Sequence, residues 1–470
     1  MERDRPRGIA VIDVGATSIK IVLFDGEGRL VEERKTAARH CPPPPYAHLD
    51  PEPMVAFCRA SLPELDRILP LDAIAPAAHG AALACLKEDG SLALPVMDYA
   101  AEPPLDIVAA YRRIEPPFSE VFSPLLPMAL THGLQLFWQE TAFPELFRDI
   151  ATIMPWIQYV GFRLSGARAS EISSLSCQSQ LMDVRHNRFS SLARARHWDR
   201  LFPPLIRAWE TIGSLKPEFR GDAFRGEARV LAGVHDSNAN YLRYLAAGLG
   251  DFTLLSTGTW IIGFDTATAI DQLDEARDTV SNTDVLGRPV ASCRFFGGRE
   301  FEIVAQDATA GAASLAAVIR LIARATFALP SFTDSGGPMP GTGGSGRIIG
   351  PPPQSAEERS SLAALYCALM CDQSLAAIGS KGSVIVDGPF AANPIFLSIL
   401  ADLRQNQNVF ASALRDGTPA GAAILALMEG DGRLPRITLD LAPIAPPGIA
   451  GLEDYARKWP VLAQQDQRKL

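Results

Sequence analysis

The chain has 470 residues, of which 47% are hydrophobic and 21% charged, and its formal net charge is −9. This length exceeds one ordinary core, so we expect two domains of roughly 200 to 250 residues each. The composition excludes an extended disordered chain. The negative charge, with no basic stripe, argues against a nucleic-acid partner.

Cysteine usage and hydropathy predict a reduced, cytoplasmic protein. The seven cysteines are scattered, and they form neither a CxxC pair nor a metal-ligand spacing. The charged N-terminal segment Met1 to Gly8 does not look like a secretion signal, and no apolar run approaches about 18 residues. We therefore expect a small-molecule partner and no membrane, and we leave a homodimer open.

The first elements predict an antiparallel meander. Strands are expected at Ile9 to Asp13, Ile19 to Phe24 and Leu30 to Lys35, joined by glycine-containing turns. A helix from about Pro51 to Ile68 and a strand from about Ala73 to Ala78 follow. Residues 105 to 225 are interrupted by prolines and are predicted to be largely helical.

A second hairpin repeats the first in outline. It runs from Phe252 to Phe264 with Thr257-Gly258-Thr259 at its tip. A helix is predicted at about Ser355 to Ile378, and a buried strand at Val384 to Asp387. We therefore predict two α/β domains, residues 1–247 and residues 248–470.

The first turn combines a carboxylate, a glycine and several donors. Asp13 ends the first strand and can orient a hydrated magnesium ion, while Gly15 lets turn amides approach phosphate oxygens. Thr17, Ser18 and Lys20 can add further donors. An isolated pattern of this kind is usually an ordinary hairpin.

The tip of the second hairpin again presents a glycine and threonines. Neither tip supplies enough donors for a phosphate chain alone. Two such tips, at Gly15 and at Gly258 with Thr259, indicate that a nucleotide is clamped between two domains.

A third acidic residue, Asp236, follows the apolar run Val230 to Ala232 and comes just before a predicted helix. An aspartate in that place is commonly a helix N-cap. The alternative is a general base that takes a proton from an attacking hydroxyl group. His235 either tunes this acid or fills space.

These motifs together resemble the FGGY carbohydrate kinases, which have two actin-like, ribonuclease H-like ATPase domains flanking a central cleft. The resemblance rests on an ordered series of segments: DVGATSIK, GVHDSNAN, LLSTGTW, FFGGREFE and DGPFAANPIFLSILAD. It extends over nearly the whole chain, because LFWQ and YVGFRLSG also resemble the N-terminal domain of that family.

The resemblance implies ATP and Mg²⁺ as cofactors and assigns roles to matching residues. Asp13 would organise the metal, together with Asp236, which would also be the catalytic base and contact the sugar. The remaining residues fall into two groups. The cofactor would be held by Gly15, Thr17, Ser18, Lys20, Gly258, Thr259, Gly388, Ala391 and Asn393; the sugar would be held by His79, Gly80, Asp98 and Glu102. Asn393 is equally suited to capping a helix.

Departures from the family pattern bear on the substrate. Ala16 replaces a threonine that many relatives carry, and a Gly-Pro-Phe sequence replaces a run of glycines at the adenosine turn. No Gln-Met precedes His79-Gly80, and Asp98-Tyr99 replaces a tryptophan-containing segment. These features resemble kinases of L-rhamnulose or L-fuculose.

We therefore expect phosphorylation of a small deoxyketose. Alternatives are another ketose or polyol, such as xylulose, ribulose or glycerol. Outside sugar kinases, the alternatives are a non-sugar actin-like ATPase and a catalytically dead sugar sensor. A DNA-binding repressor would need a module ahead of Ile9, and a zinc-containing kinase would need grouped cysteines and histidines.

Overall fold

A computed structural model describes residues 7–335, 337–413 and 417–465. Most of the charged N-terminal segment considered above therefore lies outside the described residues. The chain forms two compact units. The first comprises Met1–Gly248, Ser281–Pro289 and Asp416–Ile437, and the second comprises Leu249–Val280, Val290–Arg415 and Thr438–Leu470.

The strands, in chain order, are β1 (Gly8–Val14), β2 (Ser18–Asp25), β3 (Leu30–Ala37), β4 (His40–Cys41), β5 (His48–Leu49), β6 (Leu71–Ala78), β7 (Leu83–Leu86), β8 (Leu92–Leu94), β9 (Val96–Met97), β10 (Thr152–Pro155), β11 (Ser170–Glu171), β12 (Met182–Asp183), β13 (Arg188–Phe189), β14 (Leu205–Ile206), β15 (Thr211–Ser214), β16 (Arg229–Leu231), β17 (Val234–His235), β18 (Phe252–Thr257), β19 (Ile261–Asp265), β20 (Thr279–Thr283), β21 (Pro289–Phe295), β22 (Phe327–Leu329), β23 (Arg347–Ile349), β24 (Ser383–Asp387), β25 (Val409–Ser412) and β26 (Leu441–Ile444).

The α-helices, in chain order, are α1 (Glu52–Ile68), α2 (Leu105–Tyr111), α3 (Phe118–Val121), α4 (His132–Ala142), α5 (Pro144–Arg148), α6 (Trp156–Ser165), α7 (Ile172–Ser176), α8 (Ser191–Ala195), α9 (Asp236–Ala246), α10 (Gly297–Ala305), α11 (Leu315–Ala323), α12 (Ala356–Ala377), α13 (Pro394–Leu403), α14 (Gly417–Leu427) and α15 (Leu452–Gln465).

The first unit is built on a mixed sheet with strand order β15-β16-β6-β1-β2-β3, in which β17 also pairs with β6. The meander β1-β2-β3 is antiparallel, as predicted. β6 runs parallel to β1, β16 and β17. The carboxyl ends of these parallel strands therefore lie along one edge of the sheet.

The central strands β1 and β6 of this sheet are buried on both faces, since apolar side chains occupy nearly every position, whereas the edge strand β3 is polar and largely exposed. In β1, Ala10, Ile12 and Val14 point into one core, which helices α1 and α6 also fill. Ile9 and Val11 point into the other, which contains residues of α9 and α14.

The placement of α14 explains why the first unit is not one continuous stretch. Its residues Ala422 to Ala426 pack in the same core as Ile9 and Val11. The sequence predicted a single domain boundary between residues 247 and 248. The compact first unit also contains two later segments, Ser281–Pro289 and Asp416–Ile437.

The second unit repeats the arrangement, with strand order β20-β21-β19-β18-β24-β25-β26. Its hairpin β18-β19 is antiparallel, and β18, β24 and β25 are parallel. Helix α12 runs through the core of this unit, where Leu255 and Val386 of the sheet also lie. The predicted α/β fold with two repeated domains is confirmed.

One regional prediction was wrong. Residues 105 to 225 are not largely helical, because short helices alternate there with strands of two to four residues. The prolines that interrupt this region break the helical periodicity into these short pieces.

The predicted burial of most cysteines is confirmed: all seven lie outside disulfides in the structure, and all except Cys41 are buried. In the part of the chain that the structure describes, no helix is both long and apolar enough to cross a membrane.

Candidate active site

Three strand ends of the first unit bring the predicted acids and the His-Gly pair to one edge. In the register between β1 and β6, Asp13 lies opposite Ala77. In the register between β6 and β17, His235 lies opposite Ala78. The chain then continues from Ala78 into His79 and Gly80, and from His235 into Asp236. Side chains at such carboxyl edges are well placed to bind ligands.

Asp236 is the first residue of α9, and it does not act as the helix N-cap. The capping position is His235, whose side chain makes no capping hydrogen bond. The Asp236 Oδ1 atom accepts from the Ser237 amide at 2.6 Å and from the Ser237 hydroxyl at 3.2 Å. The carboxylate remains 35% exposed, so it is held in place and still accessible to a small ligand.

His235 is buried directly behind this carboxylate. Its Nε2 atom lies 3.4 Å from Asp236 Oδ1 and 3.9 Å from Cys177 Sγ, whereas its Nδ1 has no partner in the structure. Burial lowers the pKa of His235, but the neighbouring groups of Cys177, Asp236 and Glu171 outweigh burial and raise it to about 9.

Gly80 leaves room for this histidine. A Cβ atom at position 80 would lie 2.6 Å from Cδ2 and Nε2 of the His235 ring. Any side chain at Gly80 would therefore displace the ring that contacts Asp236.

His79 is buried beside Gly80, with its Nδ1 atom 2.8 Å from the Gly80 carbonyl oxygen. Its ring meets that of Tyr99 edge-on, with 5.4 Å between centroids. Burial lowers the pKa of His79, while the charges of Asp236 and Asp98 act in the opposite direction. The structure therefore brings His79, Asp98 and Asp236 into one neighbourhood.

Of the other two predicted sugar residues, Asp98 is buried and Glu102 is exposed. Asp98 Oδ1 accepts from the Ala100 amide at 2.9 Å, and Asp98 Oδ2 lies 2.5 Å from Nδ1 of His40. His40 was not predicted from the sequence as a site residue.

The first glycine turn uses its own amide. Gly15 N donates to the Ser18 carbonyl oxygen at 3.0 Å, so this amide is already hydrogen-bonded within the turn. Thr17 is exposed and Ser18 is half-buried. Lys20, opposite Asp13 in the hairpin, lies 3.9 Å from a carboxylate oxygen of Glu33 on the next strand.

At the tip of the second hairpin, the glycine amide is again hydrogen-bonded within its own turn. Gly258 N donates to the Trp260 carbonyl oxygen at 2.9 Å, and Gly298 N donates to the Thr259 carbonyl oxygen at 3.1 Å. A Cβ atom at Gly298 would lie 2.3 Å from the Gly258 carbonyl oxygen. The start of α10 therefore rests directly on the hairpin tip.

A cavity of about 680 Å³ opens beside this tip within the second unit. It is lined by glycines, two phenylalanines and a few polar residues, namely Gly258, Thr259, Gly298, Arg299, Phe301, Glu302, Ala310, Pro389, Phe390 and Asn393. The rings of Phe301 and Phe390 meet edge-on at 5.7 Å. Its size and partly aromatic lining are typical of a small-molecule site.

Of the three residues predicted to contact adenosine, one lines the cavity and two do not. Asn393 lines the cavity and also caps α13, since its Oδ1 accepts from the Ile395 and Phe396 amides at 3.1 Å. Gly388 and Ala391 are not among the lining residues. Gly388 has φ of +86°, and a Cβ atom there would lie 2.0 Å from the Thr257 carbonyl oxygen.

Several cavity residues were missed from the sequence. Gly298, Phe301 and Glu302 share one face of α10, at spacings of three and four residues. This spacing was readable in the segment FFGGREFE, although the segment was used only as a family motif.

The residues present fit a magnesium ion carried with a nucleotide. Magnesium prefers one or two carboxylates together with phosphate oxygens, and the strand-end acids Asp13 and Asp236 supply such donors. Within residues 7–335, 337–413 and 417–465, no group of three or more histidine, cysteine, aspartate or glutamate side chains could hold a metal.

Two family profiles match most of the chain. The N-terminal domain of the FGGY family of carbohydrate kinases matches residues 9–242. The C-terminal domain of carbohydrate kinase FGGY matches residues 249–434. No curated protein sequence matches the chain.

Solved structures show the same architecture over the full length. A carbohydrate kinase from Novosphingobium aromaticivorans is 33% identical, with 98% of this chain and 99% of that chain covered and a TM-score of 0.87. A xylulose kinase from Rhodospirillum rubrum is 18% identical, with 98% and 99% covered and a TM-score of 0.79. A glycerol kinase from Plasmodium falciparum, solved with ADP, is 13% identical, with 98% of both chains covered and a TM-score of 0.77. At such low identity, the last two show a shared fold.

Proposed function

Because the chain belongs to the FGGY family of carbohydrate kinases, we propose that it transfers the γ-phosphoryl group of ATP to a hydroxyl of a small ketose. The single observation that supports this most is the strand-end cluster of the first unit. There, Asp13 lies near the end of β1, and the His79-Gly80 pair and Asp236 directly follow the ends of the adjacent strands β6 and β17.

Asp236 is the general base of the proposed reaction. Its carboxylate is anchored by Ser237, is not used as a helix cap, and stays accessible. It accepts the proton of the attacking sugar hydroxyl, a role that contributes about 10²- to 10⁴-fold to the rate of such reactions.

Asp13 and Asp236 would hold magnesium, which when bound neutralises charge on the transferred phosphoryl group. The turn at residues 15 to 18 is proposed to position phosphates in the first unit. Gly258 and Thr259 are proposed to do so in the second. The cavity lined by Phe301, Phe390 and Asn393 is the proposed site of the adenosine group.

For the sugar, we favour a deoxyketose of the L-rhamnulose or L-fuculose type. The support is the sequence around His79 and Asp98-Tyr99, which resembles kinases of those sugars. In this proposal His79, Asp98 and Glu102 contact sugar hydroxyls. The buried His79 and Asp98 would give specificity, since a buried polar group rejects a sugar that leaves it unpaired.

The test is ADP release with ATP and Mg²⁺ over a panel of L-rhamnulose, L-fuculose, D-xylulose, D-ribulose, glycerol and gluconate. We expect the highest kcat/KM with one of the two deoxyketoses. Activity confined to glycerol or another non-deoxy substrate would overturn the sugar preference and leave the kinase activity intact.

Two other outcomes would replace the proposed reaction. ADP release that no sugar changes would indicate a non-sugar ATPase of the same fold. Sugar binding measured by calorimetry, with no ADP release, would indicate a catalytically dead sensor.

A further inference from the structure

His40 bridges two parts of the first unit that the proposed function assigns to different substrates. It lies on β4, which pairs with β5, and β5 pairs in turn with β9 just before Asp98. One ring nitrogen, Nδ1, lies 2.5 Å from Asp98 Oδ2. The other, Nε2, contacts the carbonyl oxygen of Ala16 in the first glycine turn.

Both partners of the His40 ring are acceptors. A backbone carbonyl oxygen can only accept a hydrogen bond, and so can an ionised carboxylate. Satisfying both contacts requires a proton on each ring nitrogen, which makes His40 an imidazolium. Burial lowers the pKa of His40, but the contacts with Ala16 and Asp98 outweigh it, so that the pKa is raised.

The contact with Ala16 fixes the direction of a neighbouring amide. Because the peptide group is planar and trans, the Thr17 N–H points away from the side to which the Ala16 carbonyl is held. The Gly15 amide is already donated to Ser18. The Thr17 amide is therefore a proposed phosphate donor whose orientation depends on His40.

The contact with Asp98 fixes the orientation of the Asp98 carboxylate in the sugar-contacting segment. His40 holds Oδ2 while the Ala100 amide holds Oδ1 at 2.9 Å, so the carboxylate cannot rotate without breaking a bond. Each oxygen keeps further accepting capacity for a hydroxyl.

We propose that His40 is a positioning residue that couples the first phosphate turn to the sugar-contacting segment at Asp98, so that nucleotide and sugar each strengthen the binding of the other. This inference rests on the proposed function. Order imposed on one end of the bridge lowers the cost of ordering the other, which is the physical source of such coupling.

Two substitutions of His40 each remove one of its two contacts and keep the other. In His40→Asn the side-chain amide nitrogen takes the place of Nδ1 and keeps the bond to Asp98. In His40→Gln the amide nitrogen takes the place of Nε2 and keeps the bond to Ala16. Each variant retains one end, so both should lose coupling, whereas a purely local role would be affected by only one of them.

The readout is the Kd of the most active ketose of the panel, measured by calorimetry with and without Mg²⁺ and the non-hydrolysable analogue AMP-PNP. Wild type should bind the ketose more tightly with AMP-PNP, by a factor within the usual range of about 5 to 150. In both variants this factor should fall by about tenfold, or to unity if it begins lower, the effect of one charge-assisted hydrogen bond. KM for ATP should rise more than kcat falls.

The matched control is Arg39→Ala, next to His40 on the chain. Arg39 is 67% exposed and pairs with Asp50 at 3.4 Å, so its loss should leave the coupling factor unchanged. Equal loss in this control, or wild-type coupling in both His40 variants, would overturn the inference.

A measurement on the wild type covers the case in which neither variant folds. The ¹⁵N chemical shifts of the His40 ring should show both nitrogens protonated at pH 7, and a neutral ring would overturn the inference. Asp98 is the charged group that faces the ring; nearby, Arg39 pairs with Asp50, and His48 Nδ1 lies 2.9 Å from the Tyr46 carbonyl oxygen.

The two levels of proposal fail differently. If no panel sugar stimulates ADP release from wild type, the proposed function fails and the coupling falls with it. If sugar-dependent ADP release is present while the His40 variants couple normally, only the role of His40 is wrong.

Discussion

The two units share a strand order but differ in the side chains at their strand ends. Each has an antiparallel hairpin followed by parallel strands, and each hairpin tip carries a glycine whose amide closes the turn. The edge in the first unit carries acids and histidines, namely Asp13, His79, His235 and Asp236. The tip in the second unit borders a cavity lined by glycines and phenylalanines. We therefore propose that the repeated scaffold supports proton chemistry in one unit and ligand packing in the other.

Histidine makes the contrast sharper. All seven histidines of the chain precede residue 248, so the second unit contains none. Because histidine is the side chain that ordinarily titrates between pH 5 and 8, protonation changes in that range should act on the first unit. Substitutions in each of the two units test this difference.

The largest expected effect comes from removing the proposed base. Asp236→Asn keeps the size of the side chain and removes its proton affinity, so kcat should fall by about 10²- to 10⁴-fold. Binding of AMP-PNP measured by calorimetry without Mg²⁺ should stay within about twofold, because Asp236 is proposed to meet the nucleotide only through the metal. Asp106→Asn, an exposed position in α2, is the control. Turnover equal to wild type would remove Asp236 from the chemistry.

A steric change behind the base should have the next largest effect. Gly80→Ala places a methyl group 2.6 Å from the His235 ring, which must move and disturb its contact with Asp236. We expect kcat to fall by roughly 10- to 100-fold, since small misplacements of catalytic groups cost about that much. Gly430→Ala in the same unit is the control, because a Cβ atom there meets nothing within 4 Å and the backbone φ is not positive.

Two measurements decide this prediction. A thermal melt should show that Gly80→Ala still folds, and initial rates should show KM for ATP nearly unchanged. An unchanged kcat in a folded variant would mean that the His235 ring does not position Asp236.

In the second unit the expected loss is one of affinity. Phe301→Ala removes a ring from the cavity wall and its edge-on contact with Phe390. KM for ATP should rise by roughly 3- to 10-fold, with kcat nearly constant. Ile303→Ala, exposed on the same helix, should change neither constant. A fall in kcat with KM constant would contradict the separation of roles between the units.

The smallest effect concerns stability in acid. Burial lowers the pKa of His132 to about 3, and neither ring nitrogen has a partner in the structure. The unfolded chain takes up a proton below about pH 6.5 while the folded chain does not, so stability is complete above that pH and falls as the pH drops toward 3.

His132→Leu should remove this dependence. Between pH 6 and pH 4 the wild type should lose roughly 2 kcal/mol more unfolding free energy than the variant, since each pH unit costs up to about 1.4 kcal/mol per proton. Urea unfolding followed by circular dichroism measures the difference. The exposed His197→Asn variant should keep the wild-type slope; the same slope in His132→Leu would refute the explanation.

The sequence was informative wherever local pattern and chemistry coincide. The strands at Ile9 to Asp13 and Val384 to Asp387 are apolar runs ended by an acid and a glycine turn, and both were predicted with nearly the observed bounds. Asp13, His79 and Asp236 were identifiable because each follows such a run.

Other parts of the site depend on contacts that no local pattern encodes. His40 lies on a strand of two residues before a proline run, and only the fold brings it to Ala16 and Asp98. The two glycines were predicted to let turn amides approach phosphates, and the sequence did not show that the amides of Gly15 and Gly258 themselves bond within their own turns. Nothing in the apolar stretch of α14 specifies the sheet on which it packs.

The position of α14 has a consequence for synthesis. The face of the first sheet that holds Ile9 and Val11 is completed by residues 422 to 426, which leave the ribosome long after β1. Domains usually fold in the order in which they emerge. Here β1 must wait, with one apolar surface incompletely covered, until residues 422 to 426 have been made, and we expect nascent chains stalled before that point to depend on chaperones.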